Sequence, residues 1–440
     1  MRSGEFAAAR DFFEQSRHGY LAIGDLVASR LASVFSAQAL VEVGEYVRAT
    51  DMLEVLGEEA EGANDQSTLL GCLLGLADVA MSGGDFHRAR HFFHTASKRA
   101  EAVGMGTLGW RAELGAAEVF LGLEGVLAFD QAIEKMSPPV GATFHGVDQA
   151  MHMGLKALSE VYRGNLGVGT TEGADAVRRL VDSGRPSVAL RLLRWLSELF
   201  EELGEYEIAI QFADQAATIA EAVGNSPATL FFMRRLSRLF VQSDRPAEAI
   251  EVLESAIGVA QEYGGLEVLE GLLREALSIE RALGYSRLIV HRLLRLAEVT
   301  LPLHGSELYL VHLMEALSVA VESQVQEPAQ IASKLVEYMT SETLAKMDDP
   351  SLLKFAKTLG LAEQFDVAQS FVMGRAQTYA ASNEERRAAE LAAEFAELAL
   401  QVGRPNATES AYAMAIVLGD RLGLFEAEAW RHRLDFVIYG

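Results

Sequence analysis

The chain has 440 residues, 50% hydrophobic and only nine of them proline, and its 38 basic and 62 acidic residues give a formal net charge of −24. This composition is typical of a long, well-buried helical protein, and its acidity disfavours nucleic acid and anionic membranes as partners. No signal peptide or membrane-spanning stretch is recognisable, and the lone Cys72 excludes an internal disulfide framework and favours a reducing compartment, by default the cytoplasm.

Glycine recurs about every twenty residues, which divides the chain into pieces that each suit one helix and one turn. The glycines that follow this spacing are Gly4, Gly24, Gly44, Gly84, Gly104, Gly164, Gly184, Gly204, Gly224, Gly264, Gly284, Gly403 and Gly423. Asn64 and Asn383 occupy two further turn positions, since asparagine also tolerates the left-handed backbone conformation. The spacing predicts short helices joined by tight turns along nearly the whole chain.

Alternate turns carry different residues, so the true repeat is about forty residues long. One class of turn reads Gly, any residue, aromatic, two residues, Ala. Its copies begin at Gly4, Gly44, Gly84 and Gly204. Between turns, apolar residues recur at steps of three and four, as at Leu193, Leu196 and Phe200, and no segment alternates with a period of two. A helical hairpin cannot bury its apolar face alone, so the predicted fold class is all-α, an α-solenoid of stacked hairpins.

The repeat resembles the tetratricopeptide repeat in its forty-residue form. The residues that carry the resemblance most clearly are Leu193, Leu196, Ser197, Phe200, Gly204, Tyr206, Ala209, Ala213 and Ala216. The small residue of the first helix recurs at Ala37, Ala77, Ala117, Ala157, Ser197 and Ser237. The resemblance covers residues 4–423 and implies a right-handed superhelix of about eleven helical hairpins, whose first helices line a concave groove.

The regular pattern is interrupted twice within this array. Pro138 and Pro139 predict a break at residues 137–146, and a glycine-rich stretch predicts an irregular loop at residues 164–173. Both segments are candidate hinges. The glycine-rich stretch lacks the lysine of a phosphate-binding loop and follows a helix, so an irregular turn is favoured over a phosphate site.

Residues 424–440 are predicted to form one further helix after the repeats. Phe436, Val437 and Tyr439 give its end an aromatic, exposed character, whereas a terminal repeat normally has a polar outer face. We therefore expect either self-association or a partner to cover this helix.

Arginines near the middle of the chain follow the same forty-residue spacing. Residues 178–295 carry 14 basic and 17 acidic residues, so this part is nearly neutral within an acidic protein. In the family, the position shared by Arg194, Arg234 and Arg274 faces the groove. The arginines on or beside this row are Arg191, Arg194, Arg234, Arg235, Arg238, Arg274 and Arg281. A planar guanidinium group binds a carboxylate through two hydrogen bonds, so these residues predict a site for an acidic partner segment.

Two other interpretations of the arginines stay open. Arg194 has Glu198 four residues on, so the charges could be neutralised within the protein itself. Arginine also far outnumbers lysine in the chain, so the row could be a solvated face without function. The helix around Arg234, however, has three arginines and no acidic residue, which favours an anionic partner or an acidic segment from elsewhere in the molecule.

No set of residues predicts catalysis, a cofactor or a metal. His87, His91 and His94 share one helix face at steps that zinc could use, but no cysteine or carboxylate at a suitable spacing accompanies them. Cys72 lies in an apolar run, and no histidine is spaced to activate it. A solvated or partner-contacting face is the favoured interpretation of the three histidines.

The sequence therefore predicts a non-catalytic, cytoplasmic scaffold or adaptor that binds a protein or peptide segment, acidic in character, in its groove. One alternative is a sensor, in which a peptide or small ligand changes the superhelix and so controls a partner. Another is a structural subunit of a larger assembly that uses both ends and the convex face. Neither nucleic acid binding nor membrane insertion is expected.

Overall fold

The computed structural model describes residues 3–137, 146–325 and 328–439, and in these ranges the chain forms 23 helices and no strand. The all-α prediction is confirmed. The helices group into two compact units, Met1–Gly264 and Gly265–Gly440. Within each unit, consecutive helices pack against each other as hairpins, as a helical-repeat fold requires.

The first unit begins with a single helix and continues with six hairpins. Its helices are α1 (Ser3–Ala22), α2 (Leu26–Glu42), α3 (Tyr46–Gly62), α4 (Gln66–Gly83), α5 (Phe86–Val103), α6 (Gly106–Leu123), α7 (Val126–Lys135), α8 (Gly146–Tyr162), α9 (Leu166–Asp182), α10 (Pro186–Glu202), α11 (Tyr206–Val223), α12 (Ser226–Gln242) and α13 (Pro246–Tyr263). Asp25, Asp65 and Asn225 cap the first helices α2, α4 and α12, because each side chain accepts a hydrogen bond from a backbone N–H three residues on.

The second unit contains four hairpins, α14–α15, α16–α17, α19–α20 and α21–α22. Its helices are α14 (Leu266–Leu283), α15 (Ser286–His304), α16 (Ser306–Glu322), α17 (Pro328–Tyr338), α18 (Ser341–Lys346), α19 (Asp349–Leu361), α20 (Phe365–Ala381), α21 (Glu385–Gln401), α22 (Pro405–Leu422) and α23 (Glu426–Tyr439). The described residues thus hold ten complete hairpins, against about eleven predicted. The shortfall lies around the short helices α17 and α18, which have 11 and 6 residues.

The turns follow the predicted spacing. Among the spaced glycines, those with a left-handed backbone are Gly24, Gly44, Gly84, Gly104, Gly164, Gly184, Gly204, Gly224, Gly284, Gly403 and Gly423. Asn64 and Asn383 adopt the same conformation, as predicted, and so do Asp244, Gln324 and Glu363 where the glycine is replaced. Gly264 differs, because its φ of −91° is extended. The six small residues of the first helices are all buried, which allows paired helices to approach closely.

The glycine-rich stretch at residues 164–173 is mostly helical, so the predicted irregular loop is wrong. α9 begins at Leu166 and continues through the stretch. A Cβ atom on Gly169 would lie 2.3 Å from Val161 Cγ2 and 2.8 Å from the carbonyl oxygen of Ala157. Glycine here permits α9 to pack closely on α8 and does not mark a loop.

The other candidate hinge, at residues 137–146, coincides largely with residues 138–145, which lie outside the described part of the chain. The C-terminal segment forms α23, and Phe436 on this helix is exposed. Among the helices that the structure describes, none combines the length and the apolar character that crossing a membrane requires.

Candidate functional site

The first unit closes on itself across intervening hairpins. In a solenoid, each repeat ordinarily contacts only its neighbours. Here α2 and α4 both contact α10, and α1 contacts α11. As a result, α10 is buried along most of its length. We call this contact of the first two hairpins with α10 and the start of α12 the seam.

The turn after α2 docks on the start of α12. Gly44 has a φ of +83°, and a Cβ atom there would lie 2.5 Å from Asn225 Oδ1, so the close approach requires glycine. The Asn225 side chain donates from Nδ2 to the Glu42 carbonyl at 3.2 Å and to the Tyr46 hydroxyl at 3.3 Å. One buried asparagine therefore joins two hairpins that are distant in sequence.

A buried charge cluster lies in the seam and extends to Glu118 of the third hairpin. It consists of three carboxylates and two guanidinium groups, those of Glu42, Asp78, Glu118, Arg185 and Arg191. Arg185 donates to Glu42 Oε1 at 3.1 Å and to Asp78 Oδ2 at 2.7 Å. Arg191 lies 3.1 Å from Asp78 Oδ1 and holds Glu118 through two hydrogen bonds of 3.1 and 3.3 Å. The cluster ties α2, α4 and α6 to the N-terminal half of α10.

The cluster has one carboxylate more than it has guanidinium groups, and the carboxylates differ in how readily they bind a proton. Burial raises the pKa of Glu42, and Arg185 and the Ser187 backbone N–H oppose this only in part. Burial alone would raise the pKa of Asp78 too, but Arg191 and Arg185 outweigh it and the pKa is lowered. Of Glu42 and Asp78, Glu42 is therefore the weaker anion.

Arg191 and Arg235, two of the seven predicted partner-binding arginines, are buried in ion pairs. Arg235 donates to the Ser197 hydroxyl at 2.8 Å and to Glu201 Oε2 at 2.6 Å, both in the preceding hairpin. Arg191 belongs to the buried charge cluster. The prediction that these two residues face an open groove is wrong, because carboxylates from other hairpins neutralise them inside the unit.

Arg194 is partly buried among aromatic rings. Its Nε donates to Glu198 Oε1 at 2.9 Å, one helical turn on, as the self-pairing interpretation predicts. Its guanidinium carbon lies 5.1 Å from the ring centre of Trp195, 5.2 Å from that of Phe231 and 5.9 Å from that of Phe86. These distances suit cation–π attraction and hold the guanidinium in place. Within the described residues, its two Nη atoms have no hydrogen bond.

The remaining predicted arginines are exposed and lie in both units. Arg234 and Arg238 are on α12 of the first unit. Arg274 and Arg281 are on α14 of the second unit, where Arg274 donates to Glu270 Oε1 at 2.9 Å and Arg281 pairs with Glu315. A row that combines Arg194, Arg234 and Arg274 in one groove stays a prediction.

A cavity of about 300 Å³ lies at the seam, beside Arg194. Among its lining residues are Tyr46, Met81, Ser187, Arg194, Phe231 and Phe232. Its wall is mainly apolar and aromatic, with hydroxyl groups and a guanidinium group at separate points. Such a wall suits a bulky apolar side chain next to an acidic or carbonyl group. We call this space the seam cavity.

The carboxylates of the buried charge cluster were not predicted from the sequence. The signal was present, because Asp78, Glu118 and Glu198 each directly follow the small residue of a first helix, at Ala77, Ala117 and Ser197. Asp78 and Glu118 turn inward to arginines of the fifth hairpin, whereas Glu198 pairs with Arg194 within its own helix. The acidic spacing would have indicated internal partners for the arginines.

The three regularly spaced histidines, His87, His91 and His94, are exposed on α5. Nowhere in residues 3–137, 146–325 and 328–439 do three or more His, Cys, Asp or Glu side chains gather so that they could hold a metal ion. Cys72 is buried in the core of the first unit.

Residues 188–262, which include α10 to α12 and most of α13, match the family model described as tetratricopeptide repeat. No curated protein sequence matches the chain. Among solved structures, the apo form of RapI is 13% identical with a TM-score of 0.43, and the match covers 81% of this chain and 99% of that one.

Two further solved structures match with similar sequence identity, coverage and TM-score. The apo form of the quorum sensor NprR from B. thuringiensis is 15% identical with a TM-score of 0.36, covering 82% of this chain and 99% of that one. A Rap protein complexed with competence and sporulation factor is 12% identical with a TM-score of 0.33, covering 84% and 97%. At these values the likeness says nothing about what this chain binds. The family match identifies residues 188–262 as tetratricopeptide repeats, and the left-handed turns at regular spacing and the buried small residues of the first helices show a similar helical repeat in other described parts of the chain.

Proposed function

We propose that this chain is a non-catalytic, cytoplasmic protein-interaction scaffold that binds a segment of a partner protein in the seam cavity. The observation that supports this most strongly is the state of Arg194. Its guanidinium is fixed by aromatic rings and by one hydrogen bond through Nε, the residue lines the cavity, and its Nη atoms have no hydrogen bond in the described residues. A partner segment with an acidic group beside a bulky apolar residue satisfies both the guanidinium and the apolar wall.

Substitution at the cavity tests this proposal. Arg194→Gln should weaken binding of the partner recovered with the intact chain by about tenfold to a hundredfold, since a charge-assisted hydrogen bond is worth about 1.5 to 3 kcal/mol. Arg178→Gln is the matched control, because Arg178 is exposed and also pairs with a carboxylate of its own helix, that of Asp175. Equal affinity of both variants and the wild type would reject the cavity as the binding site.

A second candidate function is that of a sensor, and the origin of the cavity wall favours it. Tyr46 and Met81 come from one side of the seam, whereas Arg194 and Phe231 come from the other. A ligand in the cavity therefore contacts both sides, which links its binding to closure of the seam. The sensor function requires that the bound partner slow amide exchange at the turn around Gly44; unchanged exchange there favours the plain scaffold.

We further propose that a second copy of the chain covers α23. Phe425 is 87% exposed and Phe436 is 71% exposed, which is unusual for residues of this size. Changing both to Asp should convert a concentration-dependent dimer to a monomer in sedimentation equilibrium. A wild-type chain that stays monomeric at high concentration would reject this contact.

A further inference from the structure

We propose that the N-terminus of α10, with Arg185 and Arg191, is a binding site for an acidic segment of a partner, and that the chain's own carboxylates occupy this site while the seam is closed. The proposal goes beyond the proposed function: Arg191 and Ser187 also line the seam cavity, so a segment bound in the closed cavity and an acidic segment bound at the opened site exclude each other. It goes further by naming a concealed anion site and the event that exposes it.

The geometry is that of a complete anion site. The Glu42 carboxylate lies at the start of α10, where its Oε2 accepts from the Ser187 backbone N–H at 2.6 Å and its Oε1 accepts from Arg185 Nε at 3.1 Å. The first N–H groups of a helix have no partner within the helix and carry partial positive charge, so they bind anions. Arg185 adds a full positive charge beside them, and Arg191 adds a second that Glu118 of the third hairpin shares.

The carboxylates in the site come from hairpins that are not stacked next to the hairpin of the arginines. Glu42 and Asp78 belong to the first two hairpins, whereas Arg185 and Arg191 belong to the fifth. Neighbouring repeats would stack equally well without these contacts, so the seam can open while the hairpins stay folded.

Replacing the carboxylates of Glu42 and Asp78 with those of a partner costs little free energy compared with leaving the arginines unpaired. An uncompensated buried charge is strongly destabilising, so the arginines keep an anionic partner in either state. A partner's carboxylates offer the same ion pairs that Glu42 and Asp78 offer. Burial raises the pKa of Glu42, so its carboxylate is the weaker anion of the two.

The distance across the seam provides the first test. Spin labels on Val47→Cys in α3 and Val241→Cys in α12 are on exposed positions, while the native Cys72 is buried. Pulsed electron paramagnetic resonance should give one narrow distance for the otherwise wild-type chain and a broad or longer distribution after Glu42→Gln with Asp78→Asn. Glu54→Gln is the control, because Glu54 forms an exposed ion pair with Arg88.

Binding of a decaglutamate peptide provides the second test. The Glu42→Gln, Asp78→Asn variant should bind it more tightly than the wild type by roughly 5-fold to 150-fold, the usual range of coupling between linked equilibria. Decaglutamine should bind neither protein. Saturating decaglutamate should also broaden the distance distribution of the wild type, which tests the exchange without any seam substitution.

Each result decides the proposal. A folded variant with the narrow wild-type distance overturns it, and so does a variant that opens without binding decaglutamate more tightly than decaglutamine. If circular dichroism shows that the variant is unfolded, the test is the spin-label distance in the wild type with saturating decaglutamate. A narrow distance that decaglutamate leaves unchanged overturns the proposal. Loss of partner binding in Arg194→Gln is independent of these outcomes, so the seam cavity can stand as a site when the concealed anion site does not.

Discussion

Arg191 of α10 and Glu118 of α6 form a buried two-pronged ion pair, with Nε to Oε1 at 3.1 Å and Nη2 to Oε2 at 3.3 Å. The same Glu118 oxygen Oε1 also accepts from the Trp195 indole N–H at 3.1 Å. Burial alone would lower the pKa of Arg191, but Glu118 and Asp78 outweigh it and the pKa is raised. Arg191 is therefore charged, and the pair ties the third hairpin to the fifth.

Removal of the charge of Glu118 should destabilise the first unit. Glu118→Gln leaves the buried Arg191 with only Asp78 as a counter-ion, so we expect a loss of about 3 kcal/mol in the free energy of unfolding. Urea denaturation followed by tryptophan fluorescence measures it. Glu54→Gln removes an exposed pair and should cost less than about 1 kcal/mol. Similar small losses in the two variants would mean that the buried pair contributes little.

Two glycines of α9 should respond oppositely to alanine. Gly169→Ala places a Cβ atom against Val161 and the Ala157 carbonyl, so it should destabilise the chain by about 1 to 3 kcal/mol. Gly167 lies in the same helix with nothing within 4 Å of the added atom. Gly167→Ala should be neutral or stabilising by up to about 1 kcal/mol, because it restricts the unfolded chain. The melting temperatures of both variants test this prediction. Equal changes in melting temperature would contradict the packing role of Gly169.

The Cys72 thiol should be unreactive in the folded chain. Burial raises the pKa of this thiol to about 12. A thiol with so high a pKa is almost entirely un-ionised near neutral pH, so its modification by a disulfide reagent should be about a thousandfold slower than in denaturant. The exposed thiol of Val47→Cys is the control and should react at once. Rapid modification of native Cys72 would show that this core opens readily.

His312 should make the stability of the second unit depend on pH. Its pKa is lowered, first by burial and then by the charge of Arg274, against opposing effects of Glu315 and Glu270. In the unfolded chain it titrates near pH 6.5, so its contribution is present above that pH and is lost as the pH falls through the lowered folded pKa.

Thermal unfolding at about pH 7.5 and about pH 5.5 measures this effect. Neither ring nitrogen of His312 has a hydrogen-bond partner within the described residues, so leucine can replace it without loss of a polar contact. His312→Leu should reduce the loss of stability toward acid pH, whereas His291→Leu, at an exposed position, should not. An identical pH dependence in the wild type and His312→Leu contradicts the assignment.

The sequence predicts the helices and turns well because both are local. A turn depends on a residue that tolerates the left-handed conformation, such as Gly44 or Asn64. A helix depends on apolar residues at steps of three and four, such as Leu193, Leu196 and Phe200. Both features involve only near neighbours in the chain. The loop predicted at residues 164–173 failed for a tertiary reason, since the glycines there serve the approach of another helix.

The candidate site was predictable only in part. Arg194 was found through its repeat position, and its partner Glu198 lies one turn away on the same helix. The partners of Arg191 and Arg185, in contrast, come from hairpins two to four repeats earlier. Which hairpins meet across the seam depends on the summed curvature of the intervening repeats, and one sequence does not specify that curvature residue by residue.

Photo-crosslinking from the seam cavity tests the central claim most directly. A photoreactive phenylalanine analogue at Phe231, on the cavity wall, should crosslink the partner recovered with the intact chain, and Arg194→Gln should strongly reduce the yield. The same analogue at Leu127, which is exposed on α7 of the same unit, should give no crosslink. Crosslinking at Leu127 but not at Phe231, or a yield at Phe231 that Arg194→Gln leaves unchanged, would contradict partner binding in the seam cavity.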